Sequence, residues 1–178
     1  MIKQGTIIRN EKTGEEILFV ETAASSNGER AVFEYTIVND GTNPAEHIHM
    51  NADETFEVLS GTFSYTLEGQ KGEVKAGEKV HLPKGKRHQH GNWHSEPAKI
   101  RQTVTPAHDF EDVVAKIFEL TRDGKMPGGQ PPFLQAMVWG NYCSGKSYLA
   151  SIPVPVQNAL AKILGPFGKM AGYKSHYE

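Results

Sequence analysis

A single cysteine, Cys143, is all the sulfhydryl chemistry the sequence holds, so no disulfide can form within the chain. That fits a reducing compartment. No apolar run approaches the ~20 residues needed to span a bilayer. The opening stretch, MIKQGTIIRNEKTGE, lacks the apolar core of a secretory leader, so a soluble cytoplasmic protein is expected. Charge of one sign is also missing. The 19 basic and 21 acidic side chains are interspersed and leave a net charge of -2. No basic block calls for nucleic acid and no helix-turn-helix is evident, so neither nucleic acid nor a membrane is an expected partner. At 178 residues the chain is long enough to bury a core without covalent staples.

What is present reads first as β-structure. Segment 62–68 (TFSYTLE) alternates, with Phe63, Tyr65 and Leu67 on one face and Thr62, Ser64, Thr66 and Glu68 on the other. Segment 30–38 (RAVFEYTIV) is aromatic and β-branched, and shorter runs of that kind lie at 17–20, 56–59, 80–82 and 100–104. Turn signals separate them: Asn27-Gly28, Asn39-Asp40-Gly41, Ser60-Gly61, 69–72, Ala76-Gly77 and Pro83-Lys84-Gly85. Short strands at near-regular spacing predict an antiparallel sandwich or barrel. After Pro106 the pattern turns helical. Segment 109–123 has Phe110, Val113, Val114, Ile117 and Phe118 at helical spacing, with Asp109 as N-cap and Gly124 as the terminating glycine. Segment 124–132 reads as a loop and 133–143 as a second helix. A third starts near Pro155, with Val156, Leu160, Ile163 and Leu164 on one face, and Gly165-Pro166 should break or kink it. The expected layout is a β-body, residues 1–106, followed by a helical extension, 107–178, packed on it.

Chemistry concentrates at His47-Ile48-His49. Imidazoles at i and i+2 share a face of a strand and can reach one ion. Glu54 follows five residues on, and His88 could join only through a cross-strand return. Three imidazoles and a carboxylate suit one divalent ion (Fe, Mn, Zn or Ni, with Fe foremost), and a six-coordinate ion would keep two positions open. His90 and Asn92 share the parity of His88 and are expected to face the same cavity. With Glu54, His90 is a catalytic candidate, as proton shuttle, donor to a ligand or extra ligand, with a plain place in the barrel wall the alternative. Gln102 shares a face with Ile100 and Val104; if that face is inward it could donate to a ligand, with wall packing its expected role. Glu57 is expected to be solvated, Asp53 lies one position off, and His81, His94 and His108 read as wall, surface or loop residues. Cys143 reads as a small buried side chain. Phe33, Tyr35, Phe56, Phe63 and Tyr65 read first as core.

The stretches 41–61 (GTNPAEHIHMNADETFEVLSG) and 77–92 (GEKVHLPKGKRHQHGN) resemble the two signature motifs of the cupin superfamily, with every signature position filled. The resemblance implies a small jelly-roll β-barrel with a C-terminal helical tail outside the signature. It puts His47, His49, Glu54 and His88 on the metal ligands, and Gly41, Gly61, Gly77, Pro83 and Gly85 on the turns. It also implies a small-molecule substrate and, since cupins often pair, a homodimer. Three activities are open to such a scaffold. The Val104-Thr105-Pro106 exit is similar to that of quercetinase-like cupins, which favours a dioxygenase with Glu54 as ligand or base. A metal-dependent isomerase or lyase on a sugar or keto acid, using His90 or Glu54, comes next. A non-enzymatic ligand-binding module is third. The apolar face of the third helix needs cover, from the β-body or a second copy.

Overall fold

The computed structural model describes residues 2–39, 41, 43–108, 110–126 and 130–175. Asp40 of one expected turn, the expected N-cap Asp109, and positions 127–129 of the expected loop lie outside them. Ten strands come first: β1 (Ile7–Asn10), β2 (Glu15–Glu21), β3 (Ala31–Ile37), β4 (His47–His49), β5 (Asp53–Ser60), β6 (Thr62–Leu67), β7 (Gln70–Lys75), β8 (Lys79–Leu82), β9 (Arg87–Gly91) and β10 (Ala98–Thr105). Then follow α1 (Phe110–Arg122), α2 (Phe133–Tyr142), β11 (Ser147–Leu149) and α3 (Val154–Met170). The strands form two antiparallel sheets, ordered β1-β2-β3-β10-β5-β8 and β11-β4-β9-β6-β7. This is the expected jelly roll, built as two packed sheets.

Alternation explains the core. Ile17 and Phe19 on β2, Phe33 on β3, Phe56 on β5, Phe63 on β6, and Ile100 and Val104 on β10 are all 0% exposed. They take every second position of their strands, as a half-buried sheet demands. Two polar residues occupy the same inward parity, Glu54 beside Phe56 and Gln102 between Ile100 and Val104, and both are buried. A polar group on the core side needs a partner there. That partnership is the site.

Three expectations change. The turn read at 69–72 shrinks to Glu68-Gly69, whose positive φ values of 50° and 81° make a two-residue hairpin of the primed type. Gly72 instead lies in β7 opposite Tyr65, whose ring occupies the space a Cβ would fill. Second, the helical extension contains a strand, β11, which extends the smaller sheet by pairing with β4. Third, of the break or kink expected at Gly165-Pro166 the break does not occur, and α3 runs through to Met170. Proline removes a helix hydrogen bond, but Gly165 and Gly168 seat α3 on α2. A Cβ at Gly165 would lie 3.2 Å from the Met137 carbonyl, and one at Gly168 would lie 2.9 Å from that of Leu134. The packed face is therefore Ala161, Gly165 and Gly168. Ile163 and Phe167, by contrast, stay about 60% exposed (62% and 59%). Among the described residues no helix is long and apolar enough to cross a membrane.

Candidate metal centre

β4 places His47 and His49 on one face, and its antiparallel pairing with β9 sets His47 opposite His88. β5, from the other sheet, brings Glu54 across the interior. One ligand atom from each of His47, His49, Glu54 and His88 lies within 4.8 Å of the others, so the four form a group that could hold one metal ion. The His88 Nε2 lies 2.9 Å from the Glu54 Oε2, and the His47 and His49 Nε2 atoms are 3.1 Å apart.

The far side of each candidate ligand is tied down. His47 Nδ1 contacts the Ala45 carbonyl at 2.7 Å and His88 Nδ1 the Lys86 carbonyl at 2.9 Å. A carbonyl only accepts, so both Nδ1 atoms carry the proton and both Nε2 lone pairs face the centre. The His49 Nδ1 lies 2.6 Å from the Ser147 hydroxyl. Gln102 Nε2 donates to Glu54 Oε1 at 2.6 Å, leaving Oε2 to face the imidazoles. Glu54 Oε2 and His88 Nε2 are buried and without a hydrogen bond. At 2.9 Å they stand as two facing acceptors, an arrangement relieved by a cation or a shared proton between them. The donor set and these orphaned atoms fit a divalent ion.

The electrostatics agree. Burial would raise the Glu54 pKa, but His49, His88 and His90 outweigh it and hold the carboxyl well below its usual range. Burial, reinforced by His49 and His88, drives His47 far below the ordinary imidazole value, so it stays neutral as a ligand must. Burial also lowers His88, but the Glu54 carboxylate 2.9 Å from its Nε2 favours the protonated ring, prevails and raises it. Gln102 is the clearest helper, in place of the wall role expected of it. Gln102→Leu keeps its bulk and strips the donor from a buried carboxylate, a bond worth about 1.5–3 kcal/mol. Divalent-ion affinity is expected to fall about tenfold or more, measured by competition with a chelator.

Other candidates sort themselves. His90 faces the same interior but packs against the rings of Phe56 and Phe63, at 4.6 and 5.7 Å. Burial pulls its pKa down to about 4. Asn92, expected at the cavity, staples a loop instead: it donates to the carbonyls of Ile37 and Glu96, and its Oδ1 accepts from the His94 amide. Asp53 accepts from the Lys84 amide at the β8–β9 turn, while Glu57 pairs with Lys79 and Arg101. His81 is exposed beside Asp53, and His94 pairs with Glu73. His108, expected on an exposed loop, is half-buried at a positive φ of 47° and lines the cavity above the centre. Phe33, Phe56 and Phe63 are core, and Tyr35 lines the cavity. Burial raises the Cys143 thiol to about 11, which keeps it protonated and inert.

That cavity has a volume of about 260 Å³ and a mostly apolar wall. Ile17 comes from the β-body, but Val113, Ile117, Trp139 and Leu160 come from the helices. The extension thus forms the wall facing His47, His49 and Glu54. Sequence reasoning missed this role, and missed Ser147 altogether. Ser-Tyr-Leu after Gly145 is a three-residue alternation, too short to stand out as a strand.

The family model described as "Cupin domain" matches residues 34–105. An uncharacterized protein of Aquifex aeolicus is 36% identical over 73 residues, which are 41% of this chain and 60% of the relative. An uncharacterized protein of Methanocaldococcus jannaschii is 32% identical over 76 residues, 43% of this chain and 61% of that one. The chain therefore spans about 60% of the length of these relatives. Among solved structures, KdgF from Halomonas sp. is similar with a TM-score of 0.49 and 17% identity, over 60% of this chain and 90% of that one.

Proposed function

We propose that this chain, whose residues 34–105 are a cupin domain, is a metal-dependent dioxygenase acting on a small, largely apolar organic substrate. The observation that carries the reading is the mostly apolar cavity of about 260 Å³ set over the His₃Glu group. A sugar or keto acid would call for a wall of convergent polar groups, whereas a flat aromatic or diketone substrate matches this one. A bound divalent ion would supply open positions for substrate and O₂, with Fe(II) suited to the electron transfer.

The chain's own residues do the rest. His47, His49 and His88 would ligate through Nε2, each oriented by its Nδ1 partner. Glu54, held charged and steadied by Gln102, presents Oε2 where a substrate hydroxyl would deliver its proton. His90, neutral at pH 7 and packed against the rings of Phe56 and Phe63, lines the same cavity as the second group able to take up a proton. The helical wall excludes water from the reacting centre.

The test is oxygen uptake by the Fe(II)-loaded protein with a panel of flavonols, β-diketones and catechols. Substrate-dependent uptake, with both oxygen atoms of labelled O₂ recovered in the product, is the expected result. Loaded protein that turns over a keto acid or sugar without oxygen would replace this reading with the isomerase one.

A further inference from the structure

The C-terminal segment does more than wall the cavity. β11 pairs with β4 in a register that sets Ser147 opposite His49 and Leu149 opposite His47. Opposed residues of an antiparallel pair point to the same face, and Ser147 meets the His49 ring across 98 residues of sequence at 2.6 Å. The pairing is anchored at both ends. The Met50 amide donates to the Lys146 carbonyl at 2.7 Å, and the Ala150 amide to the Glu46 carbonyl at 2.9 Å. On the other side of β11, Gln157 of α3 acts as a backbone mimic. Its Oε1 accepts from the Leu149 amide, and its Nε2 donates to the Leu149 and Ile152 carbonyls. A continuous path therefore runs from His49 through Ser147 and β11 to the start of α3.

The hydroxyl can bond His49 in two ways. As a donor to Nδ1 it would place the ring proton on Nε2, aimed at Glu54 and blocking ligation. As an acceptor from Nδ1–H it frees the Nε2 lone pair for an ion. Ala45 and Lys86, which hold His47 and His88, offer carbonyls with no such choice. Ser147 is the variable partner. An ion at the centre selects the accepting state, and a docked β11 is needed to supply it.

We propose that Ser147 is a positioning residue of the metal centre, and that ion binding and docking of the β11–α3 segment stabilise each other. This rests on the reading that the His₃Glu group holds a divalent ion. Such coupling is reciprocal: if docking raises ion affinity, the ion must tighten docking by the same factor.

Both arms can be measured with Co(II), whose visible absorption reports the ligand set. Co(II) affinity, titrated against a chelator, is expected to fall by about 10–100-fold in Ser147→Ala, and Ser147→Thr, which keeps the hydroxyl, should restore it. A general packing defect would not be rescued in that way. The second arm needs no variant. In the wild-type protein, Co(II) should slow hydrogen exchange at the Met50 and Ala150 amides and in the first turn of α3. Ser147→Ala binding Co(II) as tightly as wild type, with the same spectrum, would overturn this inference alone. Exchange in those segments indifferent to Co(II) would do the same. Wild-type protein that takes up no divalent ion would instead overturn the reading of the centre, and this inference with it.

Discussion

His88→Ala is expected to abolish divalent-ion binding at this centre, and by more than the roughly 10–100-fold that losing a ligand's outer partner costs. The residue supplies one of four donors and sits directly against Glu54, 2.9 Å away and 1% exposed. Alanine leaves Glu54 Oε2 facing an apolar hole while Oε1 keeps Gln102, and a buried polar atom left unsatisfied costs about 1–3 kcal/mol. Two effects must therefore be separated. Elemental analysis gives the ion content, and thermal melts with and without ion give its contribution. Wild-type protein should gain about 2.7 kcal/mol at an ion concentration 100 times Kd, whereas the variant should melt at one temperature in both conditions. Acidification should act through the same side chain. Ion and proton compete for Nε2, and Glu54 raises His88 above its ordinary 6.5 while His47 lies well below it. Affinity should start to fall as pH drops through a value above 6.5, with His88 protonating before His47. Affinity unchanged between pH 8 and pH 5 would contradict that order.

The His47-His49 pair was legible from strand parity alone, whereas Glu54 and His88 joined the candidate group through the resemblance to the two signature motifs. Two histidines two apart need only a strand to share a face, and the Pro83 and Gly85 turn carries the chain into β9. Gln102 was half legible. Its parity with Ile100 and Val104 put it inside, but its pairing with Glu54 depends on the register of β10 against β5, where Gln102 lies diagonally from the carboxylate. Ser147 was not legible. Its role depends on a three-residue strand reaching β4 from 98 residues away, and no periodicity forms in three residues. The cavity escaped notice for a related reason. Val113 and Ile117 read correctly as one helix face, but which surface that face covers is a tertiary fact. Of the break or kink expected at Gly165-Pro166, the break is overturned by packing that only the α2–α3 contact reveals.

Packing also governs the largest expected stability effect, at Phe56. The ring is 0% exposed, stacks on Phe63 with centroids 4.7 Å apart, and supports the His90 ring at 4.6 Å. Phe56→Ala removes its transfer free energy and leaves a void that two aromatic neighbours fill only by tilting. The expected cost is about 3–5 kcal/mol, a large share of the ~5–15 kcal/mol that holds a domain folded. Chemical denaturation should show it as a lower midpoint, with Phe56→Leu losing much less. The consequence for the site is more specific. His90 is held to about 4 chiefly by burial, and the void beneath it admits water, which favours the charged ring. Its pKa should therefore climb from about 4 toward 6.5 in Phe56→Ala, read from the imidazole NMR titration of ion-free protein. A variant that loses stability while His90 still titrates near 4 would show that the ring stack is structural, and that something other than Phe56 keeps this histidine dry.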